Sequence, residues 1–121
     1  MQELTIGTCI LKIMQDIKES DWKIFKQIKE RAIELFCARA LEEFEEVIRN
    51  NEEHVHNRYL LLYRLVQNRD KQMQLIFGYQ SRSKATLQLI AIRSEGLADE
   101  ALLSNLSEEI QNLTDPKKHN W

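Results

Sequence analysis

"SDWKIFKQIKERAIELFCARALEEFEEVIRNNEEHVHNRYLLLYRLVQNRDKQMQLIFG", residues 20–78, contains no proline and no glycine before its final position. Those two residues are the strongest interruptors of regular structure, so their absence permits long helices. Trp22, Phe25, Ile28, Ala32, Leu35, Phe36, Ala40, Phe44 and Val47 recur at helical spacing, with Lys26, Lys29, Glu30, Glu42, Glu45 and Glu46 on the other face. Ser20 and Asp21 supply an N-cap and a first-turn acid, and the pattern runs to about Arg49. "RNNEE", residues 49–53, then reads as a turn, with Asn50 or Asn51 suited to a left-handed helix cap. A second helix of about 53–77 carries Val55, Tyr59, Leu62, Tyr63, Val66, Met73, Ile76 and Phe77 on one broad face, which Leu60, Leu61 and Leu65 widen. So short a connection implies antiparallel neighbours.

A helix from Asp21 to Arg49 would be about 40 Å long, whereas a sphere built for a chain of this size is only about 35 Å across. The sequence therefore predicts a molecule that is elongated or paired.

Outward from this stretch the chain stays helical. Upstream, Ile6, Cys9, Ile10, Ile13, Met14 and Ile17 predict a one-faced helix over 5–18. Downstream, residues 82–95 are apolar most of the way round and predict a central helix that Gly96 ends. "LADEALLSNL" and "SEEIQNL" predict two short helices, the second capped by Ser107 and favoured by Glu108 and Glu109. The fold class expected is all-α: a mostly antiparallel bundle of four main helices plus one or two short C-terminal ones. Residues 1–114 are read as a single helical domain and 115–121 as a flexible tail.

Composition sets the broad class. The 121 residues are 43% hydrophobic and 30% charged, as in a soluble globular domain. The apolar patch at the N-terminus has no basic region before it, Lys12 and Asp16 interrupt it, and Arg64 and Arg93 break the two greasiest later runs. Neither a signal peptide nor a membrane span is expected, and the location expected is cytoplasmic. Cys9 and Cys37 sit among apolar residues and read as reduced, structural thiols.

The net charge of −2 hides a segregation. Between His54 and Ser94 seven basic residues, Arg58, Arg64, Arg69, Lys71, Arg82, Lys84 and Arg93, face one acid, Asp70. Beyond Ser94 the balance is acidic, as is the C-terminal part of the first long helix. Segregation of this kind invites self-association or a charged partner, and it also arises when charges merely solvate separate faces.

One cluster carries candidate chemistry. Arg69 and Asp70 continue the apolar stripe of the second long helix, and Ser81, Arg82, Ser83 and Lys84 open the next helix just after Gly78. A first turn of free N–H groups with two hydroxyls and two cations could bind a carboxylate or phosphate. Alternatively, Ser81 caps the helix while Arg82 reaches back to a half-buried Asp70, stapling the two helices together.

Other chemistries find less support. "EHVH", residues 53–56, has the Glu-x-x-His spacing of carboxylate-bridged metal bundles but occurs once, and capping or solvated histidines account for it; no metal and no cofactor is expected. "LQLIAIRSEGLADEALLSNL" has a helix-turn-helix outline, yet its second helix begins with Asp99 and Glu100, which would face phosphates. Tyr59, Tyr63 and Tyr79 within the basic tract could serve a single strand, although their spacing is that of core residues. No nucleotide-binding loop, nucleophile elbow or paired metal-ligand spacing occurs. The function expected is that of a small non-catalytic interaction or regulatory protein acting through helix-mediated contacts, with self-association as one form of it. Nucleic-acid binding through 54–94, and anion binding at Ser81–Lys84, are the alternatives.

Overall fold

The computed structural model describes residues 17–78 and 81–119. The helix expected over 5–18 lies, but for Ile17 and Lys18, outside the described residues, as do Tyr79 and Gln80. Among the described residues every regular element is helical. They are α1 (Glu19–Arg49), α2 (Val55–Phe77), a 3-10 turn (Arg82–Lys84), α3 (Ala85–Ser94), α4 (Glu100–Leu103), α5 (Glu108–Leu113) and a second 3-10 turn (Pro116–His119). None of these helices is long and apolar enough to cross a membrane.

Helices α1 and α2 form an antiparallel hairpin, pinned at three levels. Phe36 meets Phe77 edge to face with ring centroids 6.0 Å apart. Glu43 meets Arg69 two turns further along. Near the tip, Arg58 Nε donates to the Val47 carbonyl at 3.5 Å. The tip itself closes through Glu53 N–H to the Asn50 carbonyl, with Asn50 at φ −73° and ψ 85° rather than in the left-handed region. His54 caps α2, its Nδ1 accepting from His56 N–H at 3.2 Å.

The core gathers at the base of this hairpin, where α3 and the segments after it pack. Phe25, Ile28 and Ala32 of α1 meet Ile76 and Phe77 of α2, Ala85, Leu89 and Ile92 of α3, and Leu97, Leu103, Leu106 and Ile110 beyond it. Burying each large aliphatic side chain is worth about 1.5–3 kcal/mol, so the cohesion of the molecule is concentrated here. The central position expected for α3 is seen in its burial: Ala85, Thr86, Gln88, Leu89, Ile90 and Ile92 are all buried.

Helix α3 ends at Gly96, whose φ is +68°. Leu97 N–H donates to the Ile92 carbonyl and Gly96 N–H to the Arg93 carbonyl, each at 3.1 Å, the double closure of a Schellman cap. Leu97 and Ile92 both enter the core, so the cap also sets the direction in which the chain leaves.

One boundary differs from expectation. Helix α1 starts at Glu19, with Lys18 in the N-cap position and no side-chain cap, instead of being capped by Ser20. The anchor is elsewhere: Asp21, only 2% exposed, accepts from Ser107 N–H at 2.9 Å and from the Ser107 hydroxyl at 2.8 Å. Ser107 in turn caps α5 by accepting from Ile110 N–H, so one buried carboxylate ties the first helix to the last. At the other end, within the 115–121 that the sequence reads as a flexible tail, Pro116–His119 form a 3-10 turn. Asp115 Oδ1 accepts from Lys117 N–H at 3.1 Å, and His119 Nε2 lies 2.6 Å from the Leu113 carbonyl. Pro116, with its φ already fixed, starts that turn where its missing N–H costs nothing.

Candidate functional site

The cluster singled out in the sequence is dispersed by the fold. Arg69 turns to α1, where Nε and Nη2 grip the two carboxylate oxygens of Glu43 at 3.0 and 2.5 Å, while Nη1 donates to Gln72 at 3.0 Å. The fork geometry holds the Glu43 carboxyl below the ordinary glutamate range, chiefly through the hydrogen bonds from Arg69, and raises the guanidinium in return. Asp70 is exposed and, among the described residues, accepts from Gln74 within its own helix, at 3.2 Å. The two residues are adjacent in sequence, so they stand about 100° apart on the helix, and only Arg69 faces the seam.

Arg82 does not reach Asp70. Its Nε and Nη2 donate to the Ile17 carbonyl at 3.2 and 2.6 Å, and its Nη1 donates to Glu19 at 2.7 Å. The guanidinium also lies over Trp22, 5.8 Å from the ring centroid, with Lys26 at 5.7 Å from the same ring. The staple expected between Arg82 and Asp70 is thus replaced by one between Arg82 and the start of α1. The reason is that the Ile17 carbonyl just before α1 and the Glu19 carboxylate at its first residue together engage all three guanidinium nitrogens, whereas exposed Asp70 offers a single carboxylate.

Ser81 and Ser83 occupy each other, with hydroxyls 2.7 Å apart, and Ser81 also accepts from Ser83 N–H at 3.3 Å. Lys84 closes the 3-10 turn through its N–H to the Ser81 carbonyl at 3.1 Å. The hydroxyls and guanidinium that would have held an anion are engaged inside the molecule.

The remaining sequence candidates can be placed as well. Glu53 of "EHVH" accepts from His54 N–H and from Asn57 Nδ2, both at 3.0 Å, and these bonds hold its carboxyl below the usual range. In the helix-turn-helix outline, Asp99 is the cap of α4, accepting from Ala101 and Leu102 N–H, and α4 is only four residues long. Arg93 of the basic tract donates to the Gln111 carbonyl at 2.7 Å and to Thr114 at 2.9 Å, tying α3 to α5.

A different feature emerges on the distal half of the hairpin. Tyr59 and Tyr63, whose spacing is that of core residues, are 67% and 56% exposed, and Val55 is 73% exposed. Leu41 and Ile48 on α1 are 62% and 52% exposed, and Val66 opposite them is 43% exposed. Leu41 and Ile48 are seven residues apart, and so are Tyr59 and Val66; each pair therefore lies on one side of its helix. The two sides meet in an open groove lined by Cys37, Leu41, Phe44, Val66, Asp70 and Met73. Across the seam the surface is polar instead, with Arg39, Glu43 and Gln72 of the hairpin beside Glu95 at the end of α3.

Of this face, Val55, Tyr59, Tyr63 and Val66 belong to the stripe that the sequence shows on α2, whereas Leu41 and Ile48 lie outside the stripe it shows on α1. The signal that separates such a face from the core is stripe width. A two-helix seam needs apolar residues at two positions in seven, and both helices here supply a further column. Comparison with family models, with curated proteins and with solved structures gives no match, so the face is interpreted from its own geometry.

Proposed function

We propose that this is a non-catalytic interaction protein, working in the cytoplasm, whose working surface is the apolar face of the distal α1–α2 hairpin. The observation that carries the reading is the row Leu41, Ile48, Tyr59, Tyr63 and Val66, large side chains left in water on an ordered helical pair. Contiguous exposed apolar surface on a folded chain marks an interaction site far more often than isolated apolar residues do. Tyrosines within it favour recognition, because they bring contact area at little entropic cost. In this reading the base, with its core and its arginine ties, is the platform that holds the arm out.

Nucleic-acid binding draws less support from the same face. Its rim on α1 carries Glu42, Glu45 and Glu46, and Arg69, Arg82 and Arg93 of the basic tract are bonded within the fold. The proposal is tested with a photo-crosslinking benzoylphenylalanine at Tyr63, expressed in cells, with Gln72 on the polar side as the control. A discrete adduct at position 63 that Leu41→Glu removes is the expected result. Absence of any adduct at 63, or equal adducts at both positions, would sink the reading.

A further inference from the structure

Resting on that reading, we infer that the occupant of the apolar face is a second copy of this chain. The two hairpins pack face to face into a four-helix bundle, with their turns at the same end and each α1 lying over the other copy's α2. Two observations lead there.

The first is pattern and area. On α1 the apolar positions 37, 40, 41, 44, 47 and 48 occupy three columns of the heptad, the width found where a helix meets two neighbours in a bundle. Helix α2 of the same chain covers the column of Ala40 and Val47 and leaves that of Leu41 and Ile48 open. The exposed parts of Leu41, Ile48, Val55, Tyr59, Tyr63 and Val66 come to roughly 700 Å², close to the ~800 Å² per partner of a standard interface. A face matched to a copy of itself supplies the same width and area on both sides, as an isologous contact requires.

The second is charge, which selects the arrangement. Beyond Leu41, and apart from the Glu43–Arg69 pair that each hairpin already makes internally, α1 carries Glu42, Glu45 and Glu46 against Arg49, while α2 carries Arg58, Arg64 and Lys71 against Asp70. A two-fold axis parallel to the helices sets each acidic α1 beside a basic α2. The perpendicular axis would set acid on acid and base on base.

Sedimentation equilibrium of the full chain at micromolar concentration tests the pairing. Twice the chain mass is expected, with at least a hundredfold loss of dimer affinity in Leu41→Glu/Val66→Glu. Tyr63→Glu, at an exposed helix position, serves as a second variant whose helicity circular dichroism can verify. A monomeric wild type overturns the inference, as does a dimer that both variants leave intact. Orientation is read from Glu52→Cys in a Cys9→Ala/Cys37→Ala background. Oxidation joins two chains through their turns when these share an end, and failure to join a dimer overturns the same-end arrangement. The crosslink at Tyr63 separates the two levels of argument: an adduct of twice the chain mass supports both, and one of any other mass overturns the second copy while leaving an interaction surface. No adduct removes both.

Discussion

Arg82 illustrates how a single side chain acquires its role from what the fold leaves unsatisfied. The segment entering α1 has no side-chain cap, and Arg82 supplies three hydrogen bonds to that segment while covering Trp22. Arg82→Ala should therefore cost about 1.5–3 kcal/mol in a urea unfolding series, since the Ile17 carbonyl loses its charged donors. Arg82→Lys should recover only part, because an ammonium cannot reproduce the fork. Asp70→Asn should fall within about 0.5 kcal/mol of wild type, as expected of an exposed residue bonded within its own helix. A large loss from Asp70→Asn with no effect of Arg82→Ala would contradict this assignment. Glu43 provides a pH test. Its folded carboxyl is held below the unfolded value, so its contribution is complete above the unfolded value and is lost as pH falls through the folded one. The stability difference between wild type and Glu43→Gln should be largest near neutrality and shrink on acidification. It should stay under about 1 kcal/mol, because the carboxylate side chain is 40% exposed. A difference that grows on acidification would show that Arg69 does not stabilise the ionised form.

At the scale of elements, Gly96 turns α3 into the loop that returns Leu97 to the core. Nothing lies near the position a Cβ would occupy, so the strain of Gly96→Ala is purely that of a positive φ, about 1 kcal/mol. Gly78 differs: its φ is ordinary, but a Cβ there would stand 2.3 Å from the Gln74 carbonyl oxygen, so Gly78→Ala must open the last turn of α2. Thermal melts should thus show a small shift for Gly96→Ala and a larger one for Gly78→Ala; the reverse order would contradict the cap geometry. Much of this level was legible in the sequence. Periodicity located α1, α2 and α3, and the chemistry of Gly96 and Ser107 fixed two ends. The pairings were not legible, because Arg82 meets Ile17 and Glu19 across more than sixty residues, and Asp21 meets Ser107 across more than eighty. No local signal encodes such distances. The members of the candidate cluster are adjacent in sequence, but helix geometry sends Arg69 and Asp70 to different sides. Periodicity also reports only that a face is apolar, not whether this chain covers it, so the spacing of Tyr59 and Tyr63 alone reads as core.

For the molecule as a whole, cohesion is uneven along the hairpin. At the base, Phe25, Ile28, Ala32, Leu89 and Ile92 are almost wholly enclosed. Beyond Ala40 the two helices hold each other through a single seam, in which Glu43, Phe44, Val47, Leu62 and Leu65 are only half-buried. A helical pair with so few enclosed side chains is marginal by itself, because helices in water draw most of their stability from the faces they bury. Native-state hydrogen exchange should expose this directly. In Leu41→Glu/Val66→Glu, where the apolar face is left without cover, amides of 41–66 should exchange through local opening at least a hundredfold faster than those of 25–32 and 85–92. In the wild type at high protein concentration the gap should narrow, because pairing adds buried area to the arm and leaves the base unchanged. Protection that is uniform along the hairpin in the double variant would mean the arm is as stable alone as the base. The exposed row from Leu41 to Val66 would then require no cover to explain its order, and the case for a bundle of two hairpins would rest on width and charge alone.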